Sequence, residues 1–217
     1  MIDQVTPETI RLLGGRLCLD FVNSVDWSPS GEPLGAELDA LRDPPWLTRW
    51  GRRVGLVAGA GARNPGAGEL RKAHELRAAV HAILSAVADG ERPDPEDLTT
   101  LARHHARAAT EAVLARGDGG WQLSWASRDP RLVRFEAAVD AVALLADAAA
   151  LARLRRCPGR NCGWLFLDTS GRRRWCSMQT CGSREKMRRL RERAKADRRD
   201  GRDAARPTAP RSDRAPV

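Results

Sequence analysis

The sequence has no apolar run long enough to cross a bilayer. Its best candidate, Ala141 to Ala152, is broken by Asp147 and falls well short of the about 20 residues a spanning helix needs, which argues against a membrane partner. Met1 to Gly15 lacks the apolar core of a secretory leader, so the expected compartment is cytoplasmic. The 4 histidines form no ligand set. His74 and His81 share a helical face without a third ligand in register and read as surface or boundary residues, and the adjacent His104 and His105 cannot point the same way. Nor is there a nucleophile–base motif or a phosphate loop. The glycines between Val54 and Gly68 follow a helical segment instead of a strand and run into Arg63-Asn-Pro65, which reads as a flexible loop. An enzyme is therefore the last of the function classes.

Cysteine is also scarce, and its distribution is informative. Of 5 cysteines, four lie in the stretch C-P-G-R-N-C-G-W-L-F-L-D-T-S-G-R-R-R-W-C-S-M-Q-T-C. Cys157 and Cys162 form one pair, Cys176 and Cys181 the other, each with four residues between its members. A tetrahedral Zn²⁺ needs four thiolates converging at roughly 2.3 Å, and two short-range pairs supply them. The competing reading, two disulfides, belongs to secreted chains and sits badly with an odd count. We therefore expect one structural zinc per chain. Trp164, Phe166 and Trp175, around the turn residues Asp168 to Gly171, predict a short β-hairpin between the pairs. After Cys181, Met187, Leu190 and Ala194 recur as the buried stripe of a helix. Knuckle, hairpin and helix together make a treble-clef-like finger.

These residues resemble the CGNR zinc finger of bacterial proteins, through Gly163-Trp-Leu-Phe-Leu-Asp168, Arg174-Trp-Cys-Ser-Met178 and Cys181-Gly-Ser-Arg184. In that family the finger follows an ABATE domain, and Gly14-Gly-Arg-Leu-Cys-Leu-Asp-Phe-Val-Asn-Ser24 is similar to the opening signature of that domain. The resemblance implies a stress-induced transcription regulator. Ser183 stands where the name motif has Asn, and the turn after Thr169 is shorter than the usual family loop.

The charge is split along the chain. Residues 1–150 carry 17 Lys and Arg against 21 Asp and Glu, a balance of −4; residues 151–217 carry 20 against 7, a balance of +13. This reads as a near-neutral body joined to a basic module aimed at a polyanion. The expected fold is mainly α: a helical domain over 1–154 with a minor β element, the finger over 155–197 and a disordered basic tail over 198–217. In the body we expect Leu17 to Val22 as a buried strand or helix, a short helix after Asp43-Pro44 anchored by Trp46 and Trp50, and a helix over 69–89. A helix from Asp94 toward Arg116 follows. Trp121 to Trp125 reads as a strand pairing near Leu17, and Pro130 to Leu154 as the longest helix. Cys18 is a buried small hydrophobe. Asp20 and Asn23 are caps and turn formers, or the polar handles of a ligand pocket.

For nucleic acid, the candidates are Arg172, Arg173 and Arg174 at the hairpin, and Arg184, Lys186, Arg188, Arg189, Arg191, Arg193 and Lys195 on the helix, with Glu185 and Glu192 placed to pair with Arg189 and Arg188. The leading expectation is a DNA-binding regulator whose body senses a small-molecule effector or forms a homo-oligomer. The alternative is an adaptor for protein or RNA with a purely structural finger.

Overall fold

The computed structural model describes residues 5–28, 30–58, 63–117 and 119–204, the stretch 197–204 as backbone only. It is mainly α. In chain order the elements are α1 (Leu17–Val22), α2 (Pro44–Arg53), α3 (Ala67–Asp89), α4 (Pro95–Glu111), β1 (Val113–Gly117), β2 (Gly120–Ser124), α5 (Leu132–Leu145), α6 (Ala148–Leu151), β3 (Leu154–Arg156), β4 (Leu165–Leu167) and α7 (Ser183–Ala204).

Helix α3 is the central post. Leu70, Ala73, Leu76, Ala79, Val80, Ile83 and Leu84 recur at helical spacing and are buried against α1, α2, α4 and α5. Each fully buried Leu or Ile contributes about 1.5–3 kcal/mol. Asp94 caps α4 by accepting from Glu96 N–H at 2.7 Å, with Pro95 in the first turn, as the local sequence predicts. On α5, Phe135 and Leu144 are fully buried, and Ala137, Ala138 and Ala141 let neighbouring helices approach closely.

Leu17–Val22, which the sequence leaves open between strand and helix, is a helix; in its first turn Asp140 accepts from Cys18 N–H at 2.8 Å and pairs with Arg16 at 2.6 Å. Several other sequence-based expectations are corrected. Helix α4 stops at Glu111, because Val113–Gly117 pairs antiparallel with Gly120–Ser124. That neighbouring strand, not the segment near Leu17, is the partner, and its short loop is cheap to close. The helix expected over 130–154 breaks after Leu145, where Asp147 turns its carboxylate back to accept from Ala150 N–H at 2.9 Å. Trp50 anchors the core, whereas Trp46 lies half-buried under Arg42 at 4.0 Å. His81 is buried, not a surface or boundary residue, whereas His74 lies at the boundary as expected. Helix α7 continues past residue 198, where the composition predicts a disordered tail, as far as Ala204; residues 205–217 and the Gly59-Ala-Gly61 part of the loop lie outside the described residues.

Candidate metal centre and nucleic-acid interface

The finger hairpin forms, but with a different partner. Strand β4 pairs with β3, Leu154 opposite Leu167 and Arg156 opposite Leu165, so the first cysteine pair sits in the hairpin loop instead of preceding it. Cys157 N–H donates to Trp164 O at 2.8 Å and closes that loop. The residues toward Trp175 form no strand. They are held by Asp168, whose Oδ1 accepts from Ser170 N–H, Ser170 Oγ and Arg173 N–H at 3.0–3.2 Å. Cys181 comes from a π-helical turn, Met178–Gly182, leading into α7.

The four sulfurs converge, all within 4.8 Å of one another and all buried. Cys176 Sγ lies 3.5 Å from both Cys162 Sγ and Cys181 Sγ. A tetrahedron with metal–sulfur bonds of about 2.3 Å has edges of about 3.8 Å, so the set fits a four-coordinate zinc. None of the five cysteines is in a disulfide. Hydrogen bonds from Cys162, Cys176 and Cys181 pull the Cys157 thiol well below its ordinary value, so the cluster readily presents a thiolate. Cys176 N–H donates to Cys157 Sγ at 3.4 Å. Gly159 leaves the sulfurs room, since a Cβ there would lie 2.9 Å from Cys181 Sγ. Four soft donors in a closed set suit structural zinc.

The centre is built onto the helical body. Asn23, fully buried, grips β4 through both halves of its amide: Oδ1 accepts from Leu165 N–H at 2.9 Å and Nδ2 donates to Leu165 O at 2.7 Å. Gly14 O accepts from Leu167 N–H at 2.9 Å, and Gly14 N–H donates to Asp20 Oδ1 at 2.8 Å, whose burial raises its carboxyl. The two residues offered as pocket handles thus act on backbone. Trp27 stacks on His81, ring centroids 3.8 Å apart, and His81 Nε2 donates to Gly163 O at 3.0 Å. Gly163 has φ 60°, and a Cβ on it would lie 2.6 Å from Trp27 Cβ, so both backbone and space exclude a side chain. Trp164 Nε1 donates to Val25 O at 3.0 Å. Leu154, Leu165 and Phe166 share one core with α1 and α3.

Of the basic candidates, Arg173 is turned inward. It lies 4.2 Å over the Phe166 ring and donates to Leu13 O at 2.9 Å and Cys176 O at 2.6 Å. Arg188 pairs with Glu185 and Glu192, and Arg189 with Glu185, whose carboxyl these arginines hold down at about 2. Arg172, Arg174, Arg184, Lys186, Arg191, Arg193 and Lys195 have no ion-pair partner among the described residues, and all are exposed. The expected buried stripe is overturned: Met187 is 50% and Leu190 48% exposed, while the Glu185 side chain is only 19% exposed. The helix seats its acidic side near the first cysteine loop, beside Gly159 and Arg160, and little of the body lies opposite the apolar side.

Four converging thiols on a hairpin loop and a helix entry, fused to a helical core, define a zinc-finger protein with an α-rich domain. The chain belongs to the ABATE family, described as "Putative stress-induced transcription regulator", whose model matches residues 15–151; the CGNR zinc finger model matches residues 153–194. No curated protein matches the chain. Among the described residues, no helix is long and apolar enough to cross a membrane.

Proposed function

We propose that the chain is a cytoplasmic DNA-binding regulator in which the zinc centre fixes the root of α7 and α7 meets the phosphate backbone, the helical body serving as sensor or oligomerisation module. The observation that carries this is the outward projection of α7. Arg184, Arg191 and Lys195 line one flank, Lys186 and Arg193 the other, and Arg172 and Arg174 extend the field at its base. A zinc held by four thiolates has no open position for water, which favours a structural over a catalytic centre.

Changing Lys186, Arg191, Arg193 and Lys195 to Gln tests this. Binding of a DNA duplex weakens, and the slope of log affinity against log salt flattens by about 0.9 for each phosphate that is no longer neutralised. An unchanged slope places the DNA on another surface. The exposed Met187 and Leu190 favour a second reading, an adaptor for protein or RNA. Selection from a random DNA pool separates the two: an enriched motif supports the regulator, and no enrichment supports the adaptor.

A further inference from the structure

A cleft of about 330 Å³ opens beside the cysteine cluster, under the N-terminal segment. Ile10, Leu38 and Trp164 give it apolar walls, and Arg11, Asp26 and Arg184 its charge. Opposite charges share this cleft without closing on one another. None of the three has an ion-pair partner within 4.0 Å among the described residues. Arg11 is held in place by Ser177 Oγ at 3.3 Å and Thr180 Oγ1 at 3.0 Å. Asp26 is half-buried, its carboxylate hydrogen-bonded by the Trp164 side chain, with Arg184 and Arg11 acting on it from a distance. A partly buried carboxylate with no cation in contact, facing two guanidiniums across a gap, is a place where a ligand carrying both charges gains a partner at each end.

We propose that this cleft binds a small zwitterion, one ammonium and one carboxylate on a short apolar frame, the chemistry of a free amino acid. The ammonium meets Asp26, the carboxylate meets Arg11 and Arg184, and the frame lies along Ile10, Leu38 and Trp164. Size favours a small molecule, since the volume is at the low end for ligand pockets. Charge disfavours an anion: zinc-bound thiolates leave two negative charges beside the cleft, and with Asp26 these outnumber the two arginines, while the separation of Asp26 from the arginines calls for one charge of each sign on the ligand. The site stands whether or not α7 meets a polyanion.

The test is calorimetry and thermal shift on the full zinc-loaded chain, with the common L-amino acids added singly. At least one binds. Analogues of that amino acid lacking the carboxylate or the ammonium bind roughly tenfold to a hundredfold more weakly, because each leaves a charged partner unpaired. Asp26→Asn weakens binding similarly, and Leu38→Trp, which fills the cleft from a half-buried position, abolishes it while zinc content stays at one per chain. Failure of every amino acid to bind, equal binding of a singly charged analogue, or unaltered binding in Leu38→Trp would overturn the proposal.

Discussion

Asn23 shows how much of this molecule rests on single polar groups. Its amide satisfies both the N–H and the C=O of Leu165 in a site closed to water. Asn23→Leu keeps the volume and orphans both groups, so we expect a loss of about 2–4 kcal/mol in denaturant unfolding. A loss under about 0.5 kcal/mol would mean that the amide is dispensable. His81 makes a pH-dependent prediction. Burial, with Arg156 and Arg77 adding to it, lowers its pKa from 6.5 to about 4, so the folded state holds it neutral. The unfolded chain takes up the proton first as pH falls. Stability is therefore full above about 6.5 and declines between 6.5 and 4, by about 3 kcal/mol from this residue. His74 and His104 are depressed in the same direction, so the comparison is with His81→Phe, which keeps the stack on Trp27 and cannot protonate. Its unfolding free energy changes less steeply over that window; parallel curves would contradict the assignment.

At the scale of elements, the finger and α7 depend on different physics. Cys162→Ser removes one of four donors, and zinc binding is folding free energy in so small a unit. The variant should lose zinc and the local fold of 157–181, seen as loss of protection in hydrogen exchange; full protection in chelator would contradict this. The cysteine spacing makes this centre legible in the sequence, because ligand geometry constrains separation along the chain directly. The hairpin partner is not legible there. Strand β3 is three residues long and follows directly from a helical segment, too short to show alternation. Arg173 is hidden between two identical neighbours, and only the turn at Asp168 sends it inward. For α7, periodicity correctly groups Met187, Leu190 and Ala194 and correctly pairs Glu185 and Glu192 with their arginines. It does not say which side the body meets, since a helical pattern fixes faces and not their surroundings.

At the scale of the molecule, two segments matched by separate family models share one hydrophobic core. Phe166 and Leu165 are buried with Phe21 and Leu84, and Gly14, Asn23, Val25 and Trp27 bond directly to finger backbone or side chains. The opening signature of the helical domain is visible as a dense apolar run, but its purpose, to clamp a strand more than a hundred residues away, has no local signal. One consequence is that zinc stabilises more than the finger. Chelation should lower the melting temperature of the whole chain in a single transition, because the body loses the surface that covers α1 and α3. A body that melts unchanged while the finger unfolds separately would show two independent units.

The claim under all of this is that Cys157, Cys162, Cys176 and Cys181 hold one zinc as thiolates. X-ray absorption at the zinc edge of the native purified protein tests it most directly. The account predicts one zinc per chain with four sulfur neighbours at about 2.3 Å and no nitrogen or oxygen ligand. Metal-free protein with paired disulfides, or a zinc shell containing nitrogen or oxygen, would contradict it.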